Sequence, residues 1–158
     1  MGGADNTPLS FEILSSLMMQ NGTPMTSNDG TKATFNNALQ TSSSQYIPGE
    51  DALRFYTDFA DPTKEVYTWT GKESSPLELF IGGRLAYYFG YAQDYFAIQQ
   101  RAPRLNFGVA KFPQLGGNTQ PVYYADYYAE AVAEKSNFKQ EAWDFIIILR
   151  GDLLYLPF

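Results

Sequence analysis

Apolar residues recur every three or four positions in five segments of the chain, which is the spacing of one face of an α-helix. The pattern predicts helices over residues 10–20, about 50–60, 76–81, 91–102 and from about 138 onward. The stripe of the first helix consists of Ile13, Leu14, Leu17 and Met18, and that of the second of Ala52, Phe55, Tyr56 and Phe59. Both stripes are expected to face a core.

Helix starts are marked by capping residues. In "SPLE", Ser75 stands at the N-cap, Pro76 at the first helical position and Glu78 at the third, so we expect a capping box. Ser10 is expected to cap the first helix, and Asn137 the last. The helix over 91–102 ends before Pro103, which cannot continue it.

Three other segments have the composition of β-strands: "RLAYYF" (84–89), "LNFGVAKFP" (105–113) and "PVYYADYYAEAVAEK" (121–135). The polar stretch between the first two helices is predicted to be loop, with at most a short strand at 33–35. Helices alternating with strands indicate an α/β domain in which a mixed sheet is flanked by helices. Trp143, on the last predicted helix, is expected to be buried against that sheet.

The composition excludes several kinds of binding and catalytic site. The chain has 17 acidic and 11 basic side chains, a net charge of -6, and no basic run that could follow a phosphate backbone, so nucleic acid is not an expected partner. It contains neither Cys nor His, which excludes disulfides, catalysis by those side chains and metal sites built on them. We expect no cofactor, no metal and no catalytic residue. The 12 Tyr residues instead favour a surface that is apolar and can still hydrogen-bond.

An aromatic segment meets a helix start at Gly90-Tyr91. Gly90 is expected to let the backbone turn, which leaves the Tyr91 ring at the junction. Two interpretations remain open: a ring displayed at a binding site, or an aromatic that only caps the helix or fills the core.

Several longer stretches, taken in order, resemble one family: "FYTDFADP", "FIGGRLAYYFGY", "NFGVAKFPQ" and "EAWDFI". They are similar to the extracellular solute-binding proteins of bacterial ABC importers, specifically family 1, the sugar-binding family that includes the maltose-binding proteins. The resemblance is best over 50–147. It implies the C-terminal lobe of a type II periplasmic-binding-protein-like fold. We expect 1–158 to be a single domain, with the first helix and a polar loop in 1–49 and a divergent tail in 148–158.

The resemblance also implies ligand-binding residues, which line the cleft between two lobes in that family. They are Tyr91, Asp126, Tyr127, Trp69 and Tyr124. A sugar ring can stack on an aromatic face while its hydroxyl groups bond to polar side chains. Strand alternation places Tyr124 and Asp126 on one face and Tyr127 on the other, so a bend is needed for Asp126 and Tyr127 to act together. An exposed strand end and a lid over the core remain the alternatives for Asp126 and Trp69, respectively.

The function that follows is non-catalytic binding of a saccharide or similar polar solute, for delivery to an ABC permease. The implied location is periplasmic or extracellular, with a lipoprotein anchor in the full-length protein. Residues 1–20 lack the pattern of a signal peptide, so we expect it to have been removed or the chain to be an internal piece of a longer protein. An exposed lobe interface predicts homo-oligomers. The alternatives are a protein-interaction module or orphan fragment with a degenerate cleft, and a glycosidase-like domain with two carboxylates.

Overall fold

The computed structural model describes residues 2–40, 45–68, 71–72, 75–117, 120–127 and 129–153. The helices in these ranges are α1 (Ser10–Gln20), α2 (Pro48–Asp58), α3 (Pro76–Ile81), α4 (Ala92–Arg101) and α5 (Lys139–Leu153). Two short strands, β1 (Leu39–Gln40) and β2 (Gln45–Tyr46), pair in antiparallel register. The chain divides into two compact units, Met1–Tyr124 and Ala125–Phe158, each described by itself below.

All five predicted helices are present, because their signals are local. All three predicted caps differ, and α5 begins at Lys139, not directly after Asn137. Leu9, not Ser10, is the N-cap of α1. Ser75 is the N-cap of α3 with proline in its first turn, but no side chain caps the helix. The carboxylate of Glu78 instead accepts hydrogen bonds of 2.6 and 2.9 Å from Arg101. The predicted capping box was therefore wrong. A charge-assisted bond to the Arg101 guanidinium is stronger than a bond to a backbone N–H, so it holds the Glu78 carboxylate away from the helix end.

The three predicted strands do not form in the described residues. Segments 84–89 and 105–113 are irregular, as are 121–127 and 129–135. A β-strand needs a neighbouring strand to hydrogen-bond with its backbone. The sequence of one segment does not determine whether such a strand lies beside it. Aromatic side chains make the contacts instead, and the ring pairs are Phe80–Tyr88, Phe80–Phe107, Tyr95–Phe107 and Phe89–Phe112.

The main core of the first unit lies between α1 and α2. Its buried residues are Ile13, Leu17, Met18, Ala52 and Tyr56. Half-buried Phe89, Phe112 and Leu115 pack against it. The predicted stripe of α1 is thus confirmed for its buried residues, whereas Phe55 of α2 is 46% exposed and was wrongly placed in the core. Phe55 instead packs edge-on against Phe59, with 5.3 Å between ring centroids.

Gln20, at the end of α1, fastens a distant segment to this core. Its amide nitrogen donates to the carbonyls of Pro113 and Val122, at 3.1 and 3.3 Å, and its oxygen accepts the backbone N–H of Leu115 at 2.8 Å. The side chain is buried, at 5% exposure. Gln114 ties the same segment to itself by accepting the N–H of Val122 at 2.9 Å. Two glutamines therefore give an irregular segment the hydrogen bonds that a sheet would have given it.

The second unit contains α5. The apolar spacing of α5 would place Phe145 and Leu149 against a core, yet they are 61% and 43% exposed. Trp143, predicted to be buried against a sheet, is 47% exposed. The prediction for Trp143 was wrong, because the sheet that would have covered the helix does not form among the residues that the structure describes. The helix continues to Leu153 and so includes much of the predicted tail, of which residues 154–158 lie outside the described range.

The architecture in the described residues is helix-rich with a two-stranded antiparallel sheet, so the α/β prediction holds only in part. Among the same residues, no helix combines the length and the apolar character that a membrane span requires. The single-domain expectation stays a prediction.

Candidate functional site

The first helical turn of α4 fixes the position of Tyr91. Tyr91 is the N-cap residue, with extended backbone angles of φ −84° and ψ 163°. Its backbone N–H donates to the Asp94 carboxylate at 2.9 Å, and the Tyr88 hydroxyl donates to the same carboxylate at 3.1 Å. An acid in the first turn also stabilises the helix dipole. One carboxylate thus holds both sides of the junction.

Gly90 is required at this junction because space is lacking. A Cβ atom at position 90 would lie 2.6 Å from Asp94 Oδ2 and 2.6 Å from Tyr88 Cε1, well inside van der Waals contact. Gly90 is not among the glycines with positive φ. The residue therefore serves close packing of Tyr88 and Asp94, rather than the backbone turn expected from the sequence.

The surroundings of Tyr88 change the pKa of its phenol. Burial, followed by the negative charge and the hydrogen bond of Asp94, raises the pKa of Tyr88 to about 12. The phenol is therefore neutral at physiological pH and acts as a donor to Asp94.

The hydroxyl of Tyr91 reaches back to α1. It donates to Glu12 Oε1 at 3.0 Å, while the residue as a whole remains 42% exposed. Glu12 Oε2 is shielded from solvent and receives no hydrogen bond from any described residue. Since a carboxylate has about four acceptor positions, Glu12 retains unused acceptor capacity, although Oε2 itself is closed to a solute in this conformation.

A second predicted residue meets the same helix. The Tyr124 ring packs edge-on against Phe11, with 6.0 Å between centroids. Phe11, next to Glu12 on α1, is 65% exposed. The structure therefore brings Tyr91 and Tyr124 to consecutive residues of α1, and we call Phe11, Glu12, Tyr91 and Tyr124 the α1 aromatic site.

The other predicted residues are not part of this site as described. Asp126 and Tyr127 belong to the second unit, where both are exposed, Tyr127 at 83%. The strand that was expected to bend at these two residues is absent, so both lie on irregular chain. Trp69 lies outside the described residues.

Sequence reasoning missed Phe11 and Glu12. Glu12 has the ordinary appearance of an acid in a first helical turn. Phe11 gave no separate signal, because its spacing of three and seven positions from Leu14 and Met18 puts it at the edge of the apolar stripe of α1, where it resembles a core residue.

The α1 aromatic site combines an exposed aromatic surface with a carboxylate acceptor. That combination suits a solute with an apolar face and hydroxyl or amine donors. Within the described ranges, no three acidic side chains are grouped closely enough to hold a metal ion.

Comparison with protein families gave one match. The profile of the family described as bacterial extracellular solute-binding protein matches residues 6–152. Comparisons with curated proteins and with solved structures gave no significant match. The family match confirms the resemblance at the level of solute binding, and it includes the whole α1 aromatic site.

Proposed function

Because the chain belongs to the bacterial extracellular solute-binding proteins, we propose that it binds a saccharide or a similar polyhydroxylated solute for an ABC-type importer. The family has a substrate-binding role, is generally non-catalytic, works with a transporter, and is extracellular or periplasmic. The finer points, namely sugar as ligand, the sugar-specific family, a lipoprotein anchor and the ABC context, are our proposal.

The contact between Tyr91 and Glu12 carries this proposal. A phenol that only filled a core would be buried, whereas Tyr91 is 42% exposed with its hydroxyl held by Glu12. The bond fixes the ring and so reduces the conformational entropy lost when a ligand stacks on it. An ordered, partly exposed ring next to a carboxylate is the element that a pyranose, with its C–H face and rim of hydroxyls, can use.

Further contacts are proposed from the resemblance. Asp126, Tyr127 and Trp69 would supply additional acceptors and stacking surfaces in a protein with a complete cleft. We further propose that the chain is one lobe, with a type II fold completed by a second lobe. A single lobe makes part of the contacts, so dissociation constants of about 1 mM, near −4 kcal/mol, are expected.

The test is an NMR titration of the labelled chain with a panel of mono- and oligosaccharides up to high concentration. Backbone amide shifts are expected at Glu12 and Tyr91, with saturation at millimolar ligand. Tyr91→Ala is expected to weaken binding by about ten-fold, since stacking contributes on the order of 1 kcal/mol beyond apolar burial. Tyr91→Phe keeps the ring and is expected to cost less.

Tyr46→Ala is the matched control, because this tyrosine is 39% exposed and lies on β2, outside the α1 aromatic site. Equal losses in the Tyr91 and Tyr46 variants would contradict the assignment. So would a spectrum that stays unchanged across the whole panel.

One observation favours a second function. The exposed apolar residues of α5 form a surface on which a protein could bind, and they are Trp143, Phe145, Ile147, Ile148 and Leu149. In that case Phe145→Ser would abolish binding of the protein partner. Sugars would have no effect on the wild type or on the Tyr91→Ala variant. The same surface supports the proposal that the chain forms homo-oligomers.

A further inference from the structure

A small cavity lies within the first unit, and some of its lining residues are close in sequence to members of the α1 aromatic site. Its volume is about 80 Å³. Most of its wall is apolar, formed by Pro8, Leu9, Ile13, Pro76, Leu85 and Phe89. Tyr87, which also lines the cavity, is 85% exposed and so stands at the rim between cavity and solvent.

The cavity and the α1 aromatic site share both of their supporting segments. On α1, Ile13 lines the cavity and the preceding Glu12 accepts the Tyr91 hydroxyl. On the segment before α4, Tyr88 and Phe89 line the cavity three and two positions before Tyr91, respectively. A solute held by Tyr91 and Glu12 therefore contacts the same two segments that form the recess.

The polar groups near the cavity are already engaged in part. The Tyr88 hydroxyl donates to Asp94, so it is not available to a solute hydroxyl. Thr7 also lines the cavity, and its hydroxyl oxygen is buried without a hydrogen-bond partner among the described residues. This one side-chain group is fewer than the two to four polar partners that hold a buried water. An apolar group is therefore the better occupant.

We propose that this cavity is a subsite for a small branched alkyl group, of about isopropyl size, carried by the solute. The inference rests on the proposed function and narrows it, since it selects alkyl-substituted glycosides over fully hydroxylated sugars. The size follows from volume: an apolar cavity of about 150 Å³ holds benzene, so one about half as large holds three or four carbon atoms.

The first experiment probes the cavity without any sugar. Xenon enters apolar cavities, so xenon under pressure is expected to shift the amide signals of Ile13, Leu85 and Phe89 in the unliganded chain. Leu85→Trp fills the recess and is expected to abolish these shifts. Val109→Trp is the matched control, because Val109 is 77% exposed and does not line the cavity. Absence of xenon shifts in the wild type would overturn the subsite.

The second experiment uses paired probes: methyl and isopropyl β-D-glucopyranoside, and the same pairs for galactose and mannose. The two additional carbons, if buried, are expected to raise affinity about ten-fold. Leu85→Trp is expected to remove this gain while leaving the affinity of the methyl glycoside within two-fold. Tyr87→Ala, which changes an exposed wall, provides a second variant and is expected to reduce the gain several-fold.

The outcomes separate the two proposals. Xenon shifts without binding of any glycoside would overturn the sugar assignment and support the apolar subsite. Glycoside binding with equal affinity for methyl and isopropyl forms would support the proposed function and overturn the subsite.

Discussion

Replacing Gly90 with alanine tests the junction on which the α1 aromatic site depends. The added Cβ would lie 2.6 Å from both Asp94 Oδ2 and Tyr88 Cε1, so the two side chains must separate. Asp94 then loses the Tyr91 N–H at 2.9 Å and the Tyr88 hydroxyl at 3.1 Å. At about 1 kcal/mol for each hydrogen bond, these two losses should lower the free energy of unfolding by about 2 kcal/mol, before the smaller gain from a stiffer unfolded chain is subtracted.

Gly108→Ala is the control, because a Cβ at position 108 meets nothing within 4 Å. Neither Gly90 nor Gly108 has positive φ, so both substitutions stiffen the unfolded chain by the same amount, about 0.4–1 kcal/mol. The difference between the two variants in urea unfolding therefore isolates the packing effect. A Gly90→Ala variant within 0.5 kcal/mol of Gly108→Ala would refute this account of the junction.

Three further measurements test other contacts. The Tyr88 phenol, with its pKa raised to about 12 from 10.0, should titrate late by carbon NMR, and Asp94→Asn should lower that pKa without reaching 10.0, because burial is the largest cause. Since the unfolded phenol loses its proton first, the free energy of unfolding should decrease between pH 10 and 12; an increase would contradict the assignment. Arg101→Gln should cost at most about 1 kcal/mol, and less at high salt, because the pair with Glu78 is exposed; a salt-independent loss of several kcal/mol would contradict this. Ile147→Lys should abolish concentration-dependent self-association in light scattering, and a wild type that stays monomeric at high concentration would remove the basis for the oligomer proposal.

The helices were predictable from sequence because their determinants are close together. The stripe of α1 and the proline in the first turn of α3 each act within a few residues of the backbone they control. The failed predictions involve partners far along the chain. Segment 105–113 has strand composition, yet it is held by aromatic contacts and by Gln20, more than 80 positions earlier.

Two of the four residues of the α1 aromatic site, Tyr91 and Tyr124, were predicted from the sequence. Gly90 marked Tyr91, and the structure confirms that the ring begins a helix and is partly exposed. Glu12 was not predictable, because its contact with Tyr91 spans 79 positions and its type suits any first helical turn. Whether these residues bind a solute stays a prediction.

The three bonds of Gln20 set an order of events during folding. Its partners lie 93 to 102 positions along the chain, so the α1 core cannot be completed until that distant segment has been synthesised. Closing a loop of 93 residues costs about 4 kcal/mol of chain entropy, which favourable contacts offset only once the loop has closed. On the ribosome, the Gln20 amide at the end of α1 would therefore lack these partners until then. Ribosome-bound chains that end before residue 113 should remain sensitive to protease at α1, and release of Val122 from the exit tunnel should make them resistant.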